Sequence, residues 1–165
     1  MAELTTNINY LQPTGFAVSI SKDNYPNLQY FAQSVTHPGV SVTDVDIQFS
    51  RRNIPTVGDK ILFDELQVTF LVDEDMKAYE EMFAWLNRLV NDEYKTAAGT
   101  ILTGLSSEAD ITVTVLSSHN NANKQIRYVN AFPVNVSGVE FTAQSGDVTP
   151  LTFTAGFRYS YYELL

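Results

Sequence analysis

Residues 40–74 constrain the fold more than any other stretch, because they hold two runs with a two-residue hydrophobic period on either side of one long connection. Val40, Val42, Val45, Ile47 and Phe49 alternate with Ser41, Thr43, Asp44, Asp46 and Gln48, and a second run carries Leu62, Leu66, Val68, Phe70 and Val72. Such alternation marks strands with one buried face. The first run slips register around Thr43, Asp44 and Val45, which predicts a β-bulge. Between the runs lie Arg51, Arg52, Asn53, Ile54, Pro55, Thr56, Val57, Gly58, Asp59 and Lys60. The period predicts a long connecting loop here, longer than the two-residue turn of a tight hairpin. Its Ile54 and Val57 are apolar where a solvated loop is polar. An arm of this kind is either packed on its own domain or buried by another molecule, and the second reading makes residues 51–60 candidate contact residues. Arg51 and Arg52 serve equally as solvated surface or as partners for a neighbour's acids.

The rest of the chain repeats the strand theme around one helix. Residues 1–12 are polar with isolated Ile8, Tyr10 and Leu11, and read as an arm. Phe16, Val18 and Ile20 give a first strand, and residues 28–35 a second, which His37, Pro38 and Gly39 end. Met76, Tyr79, Phe83, Leu86 and Val90 recur at helical spacing and predict an amphipathic helix over 75–91, with Trp85 near one edge of the stripe. Asp73, Glu74 and Asp75 stand where helix-capping acids belong. A Gly/Ser/Thr-rich connection fills 94–110. Strands are then predicted over 111–116, 124–130, 132–143 (interrupted by a bulge at Gly138) and 153–161. The fold class expected is mainly β: a two-sheet barrel or sandwich of about eight strands with one long capping α-helix, in a single domain over 1–165.

Chemistry is sparse. The chain has no cysteine and two histidines, His37 and His119, with no ligand-spaced partners, so catalytic and metal sites find no residue set. No phosphate loop or nucleophile elbow occurs, and no cofactor is expected. With nineteen acids against ten bases the formal charge is −9. A nucleic-acid grip needs the opposite sign. No apolar run approaches the roughly 20 residues of a membrane span, and neither a signal peptide nor a membrane anchor is read at the N-terminus. What remains is a domain whose open strand edges must be protected or paired with another chain. Two function classes follow: a structural subunit that self-assembles, or a small-ligand-binding β-barrel with the aromatics of the last strand lining its cavity.

Several segments resemble the tail tube proteins of contractile-tailed bacteriophages, a family related to the tubes of type VI secretion, R-type bacteriocins and contractile injection systems. The resemblance rests on residues 53–60 followed by Phe63, Asp64, Glu65, Leu66, Gln67, Val68, Thr69 and Phe70. The helix with Phe83 and Trp85, the segment 131–136 and the closing strand follow in the family's order. It implies hexameric rings stacked into an inner tube, around a channel that passes DNA and is driven through the host envelope. The implied partners are further copies of the chain, the tail sheath protein, baseplate and tail terminator proteins, and a tape measure protein or DNA held without specific binding. The implied location is the virion tail, assembled in the bacterial cytoplasm. On this reading Asp44, Asp46 and Gln48, with Thr112 and Thr114, are the candidate channel-lining residues. Carboxylates facing a lumen would keep DNA mobile rather than bound.

Overall fold

A computed structural model describes residues 10–20, 25–90, 108–142 and 150–165. Most of the expected connection over 94–110, most of the arm over 1–12 and most of the turn over 144–150 lie outside them. The fold is mainly β, and the described residues form nine strands in two sheets and two helices.

Strict alternation in Ala109–Leu116 (β6) turns Ile111 and Val113 inward and leaves Thr112 and Thr114 on the other face. It pairs with Phe16–Ser19 (β1) on one side and with Ala122–Val136 (β7) on the other. The segments expected as separate strands over 124–130 and 132–143 are one strand, β7, and it joins two layers. Its first part, up to Val129, pairs with Tyr161–Leu164 (β9), while Phe132 to Val136 pairs with Thr152–Arg158 (β8). The change of partner falls at Asn130, which has a left-handed backbone (φ 54°). Asp110 holds that kink: its Oδ1 accepts from the Asn130 N–H at 3.1 Å and its Oδ2 from Arg127 Nε at 3.0 Å. The Arg127 hydrogen bond, followed by the Asn130 N–H, outweighs partial burial and keeps the Asp110 carboxyl below the usual range. The irregularity expected at Gly138 sits instead between Pro133 and Asn135, and β7 ends before the glycine. Likewise the final strand is two: β8 breaks at Tyr159 and Ser160, and β9 crosses to the other part of β7.

Beyond β8 come Leu66–Leu71 (β5) and then Ala32–Thr36 (β2), completing the order β1-β6-β7-β8-β5-β2. The two end strands do not pair with each other. The sheet is therefore open, and the barrel form of the expectation gives way to an open sheet wrapped around a core.

The strand expected over 28–35 begins as a helix, Pro26–Tyr30 (α1). Proline suits the first helical turn, where its missing N–H costs nothing. The partner for the helix start is distant in sequence: Glu81 accepts from the Leu28 N–H at 3.1 Å and from the Asn27 side chain at 2.5 Å. The long helix spans Lys77–Val90 (α2). Asp73 caps it, accepting from the N–H groups of Ala78 (3.1 Å) and Lys77 (3.2 Å). Slight burial raises the Asp73 pKa, but these donors outweigh it and hold the group below its ordinary value.

The buried face of α2 is not the expected one. Ala78, Met82 and Trp85 are fully buried, while Phe83 and Val90 stand 48% and 77% exposed. The helix is turned about one residue from the expected stripe because its largest side chain takes the deepest place. Trp85 stacks on Tyr25 at 4.3 Å between centroids and meets Phe157 at 5.7 Å. Around it Leu66, Val68 and Phe70 of β5, Phe153, Ala155 and Phe157 of β8, and Tyr128 complete a core of fully buried side chains.

Candidate functional site

One element takes almost no part in that core. Val40–Phe49 (β3) and Arg52–Phe63 (β4) form a separate two-stranded sheet. The residues expected to make a long loop are the first nine positions of β4, with Arg51 in the turn. Phe49 pairs directly with Arg52, so only Ser50 and Arg51 lie between the strands. Pro55 did not break the strand because β4 is an edge, where a missing N–H leaves no neighbour unpaired.

Register divides the outer hairpin into two faces, since directly opposed residues point the same way. Val45, Ile47 and Phe49 lie opposite Thr56, Ile54 and Arg52 on one face. Asp44, Asp46 and Gln48 lie opposite Val57, Pro55 and Asn53 on the other. Ile54 and Val57, expected to act together, are thus on opposite faces: Ile54 joins an apolar strip with Ile47 and Phe49, and Val57 sits among carboxylates. The expected bulge is at Thr43, where the register shifts between Val42 and Asp44. There the Lys60 N–H donates to Thr43 Oγ1 at 3.3 Å. A Cβ at Gly58 would come within 2.3 Å of the Thr43 carbonyl and hydroxyl oxygens, so glycine is the residue that permits this approach. Asp59 and Lys60 are exposed beside it.

The hairpin is anchored to the body at its root. Phe63 packs on Tyr159 and Tyr162, each 5.7 Å between centroids. Tyr128 contacts both tyrosines and shares a 2.7 Å hydrogen bond with His37 Nδ1. The Asp64 N–H donates to the Gly39 carbonyl at 3.1 Å. Burial, then the neighbouring phenols Tyr159 and Tyr162, raises the Tyr128 pKa strongly. Burial, then Tyr162 and Asp64, pushes Tyr159 up to about 12. Sequence reading missed this cluster, although three tyrosines within four residues (Tyr159, Tyr161, Tyr162) were a visible signal.

Outside the root, large apolar side chains face solvent: Val57 is 82% exposed, Phe49 58% and Ile47 48%. A ribbon this exposed is marginal alone in water, and among the described residues neither outer edge pairs with a further strand. Thr112 and Thr114 sit elsewhere, on the outward face of β6 in rows with Ser19 and Arg127, and with Ala17 and Gln125. The five candidate channel residues therefore belong to two sheets, and no strand pairing joins them within one copy. Arg51 and Arg52 are exposed at the tip, and among the described residues neither is in a salt bridge.

Among the described residues no three metal-binding side chains gather, and no helix is long and apolar enough to cross a membrane. Of the closing aromatics, Phe153 fills space, packing against Phe70 (5.3 Å) and Tyr79 (5.4 Å), while Tyr161 is 46% exposed.

Known proteins are similar to this chain. The tail tube terminator protein of Enterobacteria phage T4 is 27% identical over 161 residues, covering 94% of this chain and 89% of that protein. Among solved structures, the tube-terminating cap of the anti-feeding prophage superposes with a TM-score of 0.68 at 12% identity, covering 99% and 95% of the two chains. A chain of the sheath–tube complex of the extracellular contractile injection system PVC gives 0.64 at 15% identity over 99% of both. These two share the fold. A family model described as phage tail tube protein matches residues 3–165, and the chain belongs to that family.

Proposed function

We propose that this chain is the subunit of a ring that ends the inner tube of a contractile tail, a tail tube terminator, carried in the virion and assembled in the host cytoplasm. One observation carries the reading: the β3–β4 hairpin exposes apolar residues that its own fold leaves uncovered. Repeated around a rotation axis, such a heterologous contact closes a ring. Similarity to a terminator along nearly the whole chain supports the capping role over that of a repeating tube subunit. In this proposal residues 51–60 lie in contacts between copies or with the last tube ring. Asp44, Asp46 and Gln48, with Thr112 and Thr114 contributed across copies, face a lumen through which DNA passes. The net charge of −9 suits a duct that does not hold phosphate. The ring meets tube and sheath subunits below it, and the catalogue of partners implied by the resemblance changes in one respect: the terminator is this chain itself.

Native mass spectrometry of the purified protein, and gold labelling of assembled tails, test it. Ring-sized oligomers and label at one tube end support the terminator. Label along the whole tube would make it a repeating subunit, and a strict monomer absent from tails would sink both.

A further inference from the structure

The apolar strip of the hairpin ends in a charge. Val45, Ile47, Ile54 and Phe49 share one face, and Arg52, opposite Phe49, closes that face at the tip. All five side chains are exposed, and among the described residues Arg52 forms no salt bridge. A surface that fits the strip offers apolar side chains beside an anion. The open strand edges of the body differ in this respect. β1 and β2 turn Ala17, Ser19, Gln33, Ser34 and Thr36 to solvent and carry no acid. β9, by contrast, pairs with β7 alone among the described strands. Its Leu164 is 68% exposed, Tyr161 is nearly half exposed, and the acid Glu163 lies between the two in sequence. Arg127, the cross-strand neighbour of Glu163, gives its guanidinium to Asp110, and among the described residues Glu163 has no salt bridge.

We infer that the apolar strip of one copy packs on the β9 edge of a second copy, with Arg52 against Glu163. Two open strand edges thereby cover each other's apolar side chains and bring opposite unpaired charges together. Their lengths match, about 13 Å from Val45 to Phe49 and about 10 Å for β9. One chain cannot make the contact with itself. β9 lies at the hairpin's root, where Tyr162 meets Phe63, and β4 carries Arg52 roughly 30 Å away from Phe63. The giving and receiving surfaces are therefore different parts of the chain, the heterologous type of contact that a ring repeats. The inference rests on the ring assembly proposed above and names the surface that receives the hairpin.

Because the chain has no cysteine, the contact can be trapped outside the residues that make it. Ser50→Cys at the tip and Leu165→Cys beside β9, purified separately, mixed and treated with a short bis-maleimide, are expected to give a cross-linked dimer. Arg52→Glu and Glu163→Arg should each cut the ring population in native mass spectra at least tenfold by setting like charges together. Their urea midpoints should stay with the parent's, and Arg52→Glu/Glu163→Arg should recover most of the rings. Undiminished rings in Arg52→Glu, or no recovery in the double variant, overturn the pairing of these two charges. Parent rings whose tip and β9 cysteines do not cross-link overturn the contact and leave the ring reading intact. Cross-linking of the mixture without rings supports the contact and sinks the ring. Cross-links closed within single chains of Ser50→Cys/Leu165→Cys overturn the exchange between copies.

Discussion

The same alternation that builds β5 and β8 also builds β3, yet the two regions end in opposite environments. In β5 and β8 the apolar positions Leu66, Val68, Phe70, Phe153, Ala155 and Phe157 lose all or nearly all of their surface. In β3 the equivalent positions Val45, Ile47 and Phe49 keep roughly half of theirs. A two-residue period therefore states that a face is to be buried, but not in which molecule. The body satisfies the statement within one chain. The hairpin leaves it open, and under the ring proposal a neighbouring copy closes it.

The contrast breaks most visibly in the body. Trp85→Ala removes the ring that stacks on Tyr25 and Phe157 at the centre of the core. A loss of about 3–5 kcal/mol is expected, measured as a large drop in the urea midpoint or failure to recover folded protein. A loss below about 1 kcal/mol would mean that Trp85 is not the residue that sets the rotation of α2.

The junction between the regions is sharper at high pH. Folding raises the pKa of Tyr128 and Tyr159 through burial, so the folded state favours the protonated phenols. Their contribution is complete below the ordinary tyrosine value near 10. It declines above that value: the Tyr159 part is lost as pH rises through about 12, and the Tyr128 part, more strongly raised, at higher pH still. Urea midpoints should fall by the equivalent of on the order of 1 kcal/mol between pH 9.5 and 11.5, and a Tyr128→Phe/Tyr159→Phe protein should show a flatter profile. An identical decline in both proteins would place the titration elsewhere.

How much of this was legible depends on how local each cause is. Residues of β6 and the cap at Asp73 follow neighbours within a few positions, and the bulge at Thr43 could be read from its own slip in period. The α1 helix could not, because Glu81, which holds its first turn, is 53 residues from Leu28. The kink that makes β7 one strand depends on Asp110, 20 residues before Asn130. The loop expected over 51–60 failed for a different reason. Pro55, Gly58 and the run of polar residues argue against a strand in the middle of a sheet, and the sequence does not say that β4 is an edge. The exposure of the residues suspected for contact could be suspected from their apolar members, but their division into two faces needed the register, and so did the separation of Ile54 from Val57.

The smallest effect on stability should accompany the largest effect on assembly. Ile47→Ser on β3 removes an apolar side chain from the strip shared with Ile54 and Phe49, at a position already half in water. No described body element packs there, so the monomer's urea midpoint should move by no more than about 0.5 kcal/mol. Ring-sized oligomers, by contrast, should disappear from native mass spectra, because a contact face at the centre of an interface tolerates a polar substitution poorly. The companion change Asp46→Ser, on the opposite face of the same hairpin, separates surface from surface. If the two faces differ in task, Asp46→Ser leaves rings in place while Ile47→Ser removes them. Equal loss of rings from both variants would show that the hairpin is clasped on two sides, and that its acidic face does not line an open channel.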